Sequence, residues 1–259
     1  MNLNTLFRLI NPGNLISTRF GVCPVCSHHT IFMQTGKLEL IRNYSVCIFC
    51  KSVSRHRALS LCILKEFAKY GIQRLSDFSM HPELKVFNAS NTSPISNALG
   101  NTQNIFNTEY FDDVPSGDFK NGVMCQNLEK LSFQNNSIDL VITEDVFEHV
   151  REVRAGFSEV HRVLKPGGSH IFSIPFYFSK KTKHLFKKQG DKYVPSVLPI
   201  EYHGDPIRGQ IPAFHRLGYD LFDSLEQIGF QTSVHFSEFH EYRKFATFNC
   251  YTFISRKRM

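Results

Sequence analysis

Four cysteines carry the clearest chemistry in this chain. Cys23-Pro24-Val25-Cys26 and Cys47-Ile48-Phe49-Cys50 are two Cys-x-x-Cys pairs separated by twenty residues. Each pair turns two sulfurs toward one point, and two such turns close a tetrahedron of thiolates around a zinc ion. Four thiolates leave no open coordination position, so that zinc holds the fold and does not catalyse. Two unrelated thiol pairs, or a redox pair, are the alternative. His28 and His29 follow the first pair and are read as surface residues, because the site is already full. With Cys62, Cys125 and Cys250 the total is seven. An odd count, with an N-terminus lacking the long apolar core and cleavage site of a secretory signal, leads us to expect a reducing, cytoplasmic setting.

A second group is titratable. His203, Asp205 and His215 lie in or beside a stretch, 176–213, that is rich in Lys, Tyr and Pro and shows little periodicity. Such a stretch inside a compact domain is a functional lid or a disordered insert. Histidine titrates near neutrality, so His203 is the best single candidate for a general base, with Asp205 beside it. A His-Gly-Asp-Pro turn that merely orders the loop is the alternative.

The elements that position these residues alternate. Thr30–Thr35 and Leu38–Arg42 read as strands around Gly36, inside the cysteine module. Ala58 to Tyr70 reads as a helix, capped by Ser54 at its start and Gly71 at its end. From residue 84 onward come strands at Lys85–Ala89, Asn104–Thr108, Gly122–Cys125, Ile138–Thr143 and Ser169–Pro175. Helices are expected at Ser93–Leu99 and Val146–Leu164, the latter stopped by the turn Lys165-Pro166-Gly167-Gly168. A helix at Tyr219–Ile228, a strand at Thr232–Phe236 and a strand at Phe245–Ile254 close the chain. Strands alternating with helices imply βαβ units and a mostly parallel sheet. The organisation expected is a segment with the cysteine module over 1–53, a connecting helix and linker over 54–83, and an α/β domain over 84–259 interrupted at 176–213. The first 16 residues have the pattern of a short amphipathic helix ended by Pro12-Gly13.

Composition narrows the class. The chain has 259 residues, 42% of them apolar, with 25 Phe. That excludes wholesale disorder, and no apolar run reaches the ~18 residues that span a bilayer. The formal charge is +7, and residues 180–192 supply +5 of it from six Lys and one Asp. Arg256, Lys257 and Arg258 add +3, which leaves the remainder at −1 (7 − 5 − 3). Four thiolates and one zinc ion would bring +7 to +5 (7 − 4 + 2). The local excess is read as solvated surface, with contact to a phosphate-bearing substrate as the alternative.

The run Asn127-Leu128-Glu129-Lys130-Leu131-Ser132-Phe133-Gln134-Asn135-Asn136-Ser137-Ile138-Asp139-Leu140-Val141, with TEDVFEHV (143–150) and RVLKPGGSHIFSIP (162–175), closely resembles class I S-adenosylmethionine-dependent methyltransferases. The resemblance covers about 84–255 and is strongest over 126–175. It implies a Rossmann-like, seven-stranded, mostly parallel sheet with the last strand inserted antiparallel, here 245–254, preceded by a small zinc ribbon. It also implies a cofactor site. Asn88 and Ser90 stand in the loop after the first strand, where the family has glycines and an acid; this chain has Asn88-Ala89-Ser90-Asn91-Thr92-Ser93-Pro94. Glu109 takes the place of the acid that bridges the ribose hydroxyls. Asn127, with Gln126 beside it, takes the place that faces the adenine amine. Glu144 and Asp145 come at the mouth after the fourth strand.

A narrower resemblance rests on motif order: the four cysteines, Arg55-His56-Arg57, the segment 107–117, and Glu201-Tyr202-His203-Gly204-Asp205-Pro206. Together they look like a bacterial group of zinc-ribbon methyltransferase-like proteins. The function implied is methyl transfer from S-adenosylmethionine to a small-molecule or glycan-like acceptor. A non-catalytic protein using the ribbon for interaction is one alternative. A nucleic-acid methyltransferase gripping phosphates with Arg55, Arg57 and Lys180–Lys188 is another.

Overall fold

A computed structural model describes residues 15–35, 45–205, 207–247 and 250–259. The strand expected over Leu38–Arg42 lies outside the described residues, as does the expected N-terminal helix up to residue 14. The chain divides into two compact units. One comprises Met1–Pro82, Ser93–Gly100 and Val234–Thr252; the other comprises Glu83–Thr92, Asn101–Ser233 and Phe253–Met259.

In the first unit, β1 (Leu15–Val22), β2 (His29–Thr35) and β3 (Ser45–Cys47) form an antiparallel sheet in that order. The helix α1 (Ser54–Phe67) follows and buries Leu59, Ile63 and Phe67, the face expected from their spacing. Its cap differs from expectation. Val53 is the N-cap, and its backbone N–H donates to Nδ1 of His56 at 3.2 Å. Ser54 is buried instead and donates to the carbonyl of Ala246. A 3-10 turn, Ala68–Tyr70, closes on Gly71, whose φ of 82° is the left-handed stop expected of that glycine. The same unit holds α2 (Pro94–Leu99), opened by Ser93, whose Oγ accepts from the Ser96 N–H.

The main sheet consists of β4 (Val86–Asn88), β5 (Ile105–Glu109), β6 (Phe119–Lys120), β7 (Val123–Cys125), β8 (Ile138–Glu144), β9 (Leu164–Ser173), β17 (Phe230–Phe236) and β18 (Tyr251–Lys257), the first six of them within the second unit. Their order is β17-β18-β9-β8-β4-β5-β7-β6. The pairs β7·β5, β5·β4, β4·β8 and β8·β9 are parallel, while β18 runs antiparallel to β9. This is the mostly parallel α/β sheet with an inserted antiparallel strand. The strand β6, antiparallel to β7, adds an eighth member at the edge. The central strands are apolar on both faces: Val86, Phe87, Leu140, Val141 and Ile142 are fully buried. The phenylalanines do much of the filling. Phe147 stacks on Phe157 at 3.8 Å, and Phe253 sits 4.9 Å from Phe172 and 5.0 Å from Phe176.

Three boundaries differ for identifiable reasons. The expected helix over 146–164 is a 3-10 turn at Phe147–His149 and then α3 (Val153–Val163). Nε2 of His215 lies 2.9 Å from the Val150 carbonyl and 3.1 Å from that of Arg151, which takes these carbonyls out of a helical ladder. Lys165–Gly168 does not separate helix from strand. It is an excursion inside β9, where pairing jumps from Ile138–Leu164 to Leu140–Ser169. The last strand spans 251–257, not 245–254, because Phe239–Phe245 is helical. Within the first unit Glu241 on that helix accepts from Lys65 at 2.6 Å and pairs with His235 at 2.9 Å, and these ties outweigh local strand preference.

The stretch 176–213 is a set of short strand pairs. β10 (Phe176–Tyr177) and β11 (Lys183–His184) flank β16 (His215–Gly218), β12 (Phe186–Gln189) pairs with β13 (Lys192–Pro195), and β14 (Tyr202–Asp205) pairs with β15 (Gly209–Pro212). The helix α4 (Leu221–Ile228) then ends at Gly229 with φ 111°.

Candidate functional site

The two cysteine pairs form matching knuckles. In each, the residue after the second cysteine adopts a left-handed backbone, Ser27 at φ 61° and Lys51 at φ 64°. In each, that residue's N–H donates to the first cysteine's carbonyl, at 2.7 and 3.0 Å. The sulfurs converge: Cys23 to Cys50 is 3.7 Å and Cys26 to Cys47 is 4.0 Å. Zinc–sulfur bonds of about 2.3 Å in a tetrahedron put sulfurs about 3.8 Å apart, so the four thiols fit zinc. Hydroxyls line the cluster, with Ser52 Oγ 3.3 Å from Cys23 and Thr30 Oγ1 3.4 Å from Cys47. His28 is exposed and stacks on Phe49, outside the cluster. Arg57 is fully buried, and its guanidinium donates to the carbonyls of Ser45, Ser52, Phe245 and Ala246. It is not available to grip a phosphate.

In the second unit the carboxyl ends of β4, β5, β7 and β8 carry the residues expected to hold the cofactor. Asn88 is fully buried at the end of β4. Its Nδ2 donates to the Ser90 carbonyl at 2.8 Å and to Oδ1 of Asn107 at 2.9 Å. Its Oδ1 is buried without a hydrogen-bond partner among the described residues. No residue from Asn88 to Ser93 has a positive φ, so the loop closes without the backbone that requires glycine. Glu109 ends β5, and the backbone N–H groups of Asn91, in that loop, and of Tyr110 act on its carboxylate to lower its pKa. Burial pushes its pKa up against those two groups. A carboxylate has about four acceptor positions and can take both hydroxyls of a diol. An orphaned acceptor at Asn88 and a carboxylate at Glu109 fit a cofactor with amino and ribose groups.

Other expected residues are committed locally. Gln126 accepts from Ser116 Oγ and the Ser132 N–H and donates to Ser132 Oγ, so its amide organises the turn after β7. Oδ1 of Asn127 accepts from the Glu129 N–H at 2.9 Å, an Asx turn. Glu144 ends β8 with both carboxylate oxygens buried. Asp145, at φ 52°, accepts from Ser173 Oγ. Asp205 accepts from the N–H groups of Ile207 and Arg208 and from the Arg208 guanidinium, and these bonds hold its carboxyl below the ordinary range against the opposing effect of burial. It orders its hairpin. His215 lies 2.8 Å from His184 and holds the backbone near Val150.

His203 has different surroundings. Its Nδ1 is 3.2 Å from Nε2 of His149, and its Nε2 is 3.2 Å from Oε1 of Glu201. The Glu148 carboxylate lies 3.7 Å from both imidazoles and only 2% of its side chain is exposed. The Glu148 carboxylate and, behind it, Glu201 raise the His203 pKa against burial, whereas burial lowers that of His149. In the sequence Glu148 and His149 stand out only as part of the run TEDVFEHV. The adjacent Glu-His pair just beyond Glu144-Asp145 was the available signal. Asn107, which holds Asn88, was also missed.

Comparison with known proteins agrees with this frame. Residues 100–172 match the family model described as a methyltransferase domain. The chain is 27% identical over 109 residues to a 24-methylenesterol C-methyltransferase 2 of Arabidopsis thaliana, covering 42% of this chain and 27% of that protein. It is 34% identical over 87 residues to the ubiquinone/menaquinone biosynthesis C-methyltransferase UbiE of Coxiella burnetii, covering 33% and 34%. The chain thus spans about a third or less of the length of these relatives. Among solved structures, a putative S-adenosylmethionine-dependent methyltransferase from Listeria monocytogenes aligns over 76% of this chain and all of that one, with 14% identity and a TM-score of 0.42. Over residues 100–172 the chain is thus similar to methyltransferase domains.

Proposed function

We propose that this protein transfers a methyl group from S-adenosylmethionine to a small-molecule or glycan-like acceptor. The observation that carries the reading is Glu109. It ends β5, the strand beside β4, and the Asn91 N–H of the loop after β4 is among the groups that act on its carboxylate. Ligands of open α/β sheets bind at this carboxyl edge. The cofactor supplies an electrophilic sulfonium methyl when bound. In this reading Glu109 accepts the ribose hydroxyls, Asn88 fixes the loop and offers its buried Oδ1 to the methionine amino group, and Ser90 lines the same loop. Gln126 and Asn127 shape the turn under the adenine, and Glu144 lines the mouth. The protein's part is positioning and exclusion of water.

The four thiols hold zinc as a structural ion. No helix among the described residues is long and apolar enough to cross a membrane.

Calorimetric titration of the zinc-loaded chain with S-adenosylmethionine and S-adenosylhomocysteine tests this. Micromolar binding, weakened about tenfold or more by Glu109→Ala and less by Glu109→Gln, is expected. Absence of binding up to about millimolar, roughly −4 kcal/mol, overturns it.

A further inference from the structure

Glu148, His149 and His203 form a small triangle in the second unit. Its sides are 3.2 Å between His149 Nε2 and His203 Nδ1, and 3.7 Å from each nitrogen to Oε1 of Glu148. A triangle of 3.2, 3.7 and 3.7 Å has a circumradius of about 2.1 Å, the length of a bond from zinc or a similar divalent cation to nitrogen or oxygen. One point therefore lies at bonding distance from all three atoms with no movement of the side chains.

The hydrogen bonds around the triangle fix its chemistry. Nδ1 of His149 is 2.8 Å from the Pro212 carbonyl, which only accepts, so that nitrogen carries the proton and Nε2 presents its lone pair. Nε2 of His203 is 3.2 Å from Glu201, another acceptor, so its Nδ1 is the lone-pair atom in the neutral ring. Glu201 is held from behind by Nε of Arg216 at 2.7 Å. Carbonyl–histidine and carboxylate–histidine pairs of this kind are the outer shell that orients metal-bound imidazoles. With both rings neutral, two lone pairs face each other, and both oxygens of the buried Glu148 carboxylate lack hydrogen-bond partners among the described residues. An isolated buried carboxylate costs several kcal/mol unless a positive charge meets it.

We infer that Glu148, His149 and His203 bind a divalent first-row transition cation, with Glu201 and Pro212 orienting the two imidazoles. Two nitrogens and one oxygen suit manganese, iron, cobalt or zinc better than calcium or magnesium. Three protein ligands leave positions open, which suits an oxygen donor of an acceptor molecule. The hairpin that carries His203 also carries Arg208, whose guanidinium lies 5.4 Å over the Tyr110 ring, next to Glu109. The acceptor class follows, resting on the methyltransferase reading: a molecule that offers a hydroxyl or carboxylate oxygen to the cation.

Cobalt(II) is titrated into the full, zinc-loaded chain and followed by visible absorption, because zinc in the ribbon keeps cobalt from the thiolates. One equivalent of weak d–d absorption without thiolate charge-transfer bands is expected, saturating at micromolar cobalt. Glu148→Gln and His203→Ala weaken this at least tenfold, and Glu201→Gln weakens it by a smaller factor. Ribbon zinc content and the thermal midpoint confirm that each variant folds. Absence of saturable absorption up to about millimolar cobalt, or affinity unchanged in folded Glu148→Gln and His203→Ala, overturns the site and leaves a shared proton between the imidazoles. Calorimetry with S-adenosylmethionine on the same samples separates the two readings. Cobalt binding without cofactor binding sinks methyl transfer and keeps the cation site; the reverse sinks the site alone.

Discussion

The guanidinium carbon of Arg57 lies 4.4 Å from the centre of the Phe32 ring, and neither side chain reaches solvent. Burial lowers the Arg57 pKa to about 10, so the group stays charged at neutral pH. Nearby thiols oppose that lowering. With zinc bound as proposed, this fully buried cation would offset the net −2 of a zinc–tetrathiolate centre. Arg57→Met removes the charge and leaves the carbonyls of Ser45, Ser52, Phe245 and Ala246 without their donor. A loss on the order of 3–5 kcal/mol is expected in urea unfolding, with Arg57→Lys intermediate. A loss below about 1 kcal/mol for the methionine variant would rule out this compensating role.

The ribbon should depend on its metal. The module is small, and its sulfurs already stand at tetrahedral spacing, so zinc affinity is expected to be folding free energy. Cys47→Ser should reduce bound zinc by one equivalent and lower the thermal midpoint of the signal from the first unit. A strong chelator should do the same to the unaltered chain. Full thermal stability after zinc removal, measured by metal analysis and circular dichroism, would show that the cysteines are not a structural zinc site.

Much of the fold was legible because its signals are local. Ile138–Thr143 is apolar on both faces, and Gly71 and Gly229 stop their helices where expected. The elements that escaped are set by contacts distant in sequence. His215 interrupts the expected helix at Val150, and Glu241 binds Lys65 across 176 residues to hold a helix where aromatics suggest a strand. The site divides in the same way. The cysteine spacing announces its cluster, and Glu109 sits where strand counting puts it. Glu148 and His149 gain meaning only when a hairpin brings His203 to them from 54 residues away. Gln126 and Asn127 have the right polarity, but their side-chain bonds are spent on the turn.

His170 makes stability depend on pH. It is fully buried, stacks on Phe172 at 4.3 Å, and bonds Thr143 through Nε2. Burial lowers its pKa to about 3, from 6.5. Its folded value is below its unfolded one, so the unfolded chain binds the extra proton between those values. The stability this group allows is complete above about pH 6.5 and is lost as pH falls toward 3, at up to about 1.4 kcal/mol per unit. His170→Phe keeps the ring stack and removes the titration. The slope of unfolding free energy between pH 6.5 and 5 should flatten by about one proton. An unchanged slope would show that His170 does not titrate on unfolding.

Gly168 is required by the excursion in β9. A Cβ there would stand 2.9 Å from the Lys165 carbonyl oxygen, 3.1 Å from that of Asp139 and 3.2 Å from that of Ile138. All three are backbone atoms held by the sheet. Gly168→Ala is expected to cost about 1–3 kcal/mol in chemical unfolding. Gly190→Ala, at a loop position with φ 60° and nothing within 4 Å, reports the backbone cost alone. Equal effects at the two sites would remove close approach as the reason for Gly168.

Asn88, where the family pattern has an acid, anchors its loop through its amide, and restoring the acid should harm it. Nδ2 of Asn88 donates to two oxygens, the Ser90 carbonyl and Oδ1 of Asn107. Aspartate has the same shape and, when ionised, no donor, so Asn88→Asp turns both contacts into oxygen–oxygen repulsions inside a fully buried site. A stability loss of about 1–3 kcal/mol is expected, together with weaker binding of S-adenosylmethionine, because the loop from Ala89 to Thr92 loses its anchor. Since protonation restores one donor, the loss should shrink as pH is lowered, the opposite of the trend set by His170. Tighter cofactor binding by Asn88→Asp at neutral pH would show that the loop does not depend on the amide, and that the acid is tolerated as it stands in the family pattern.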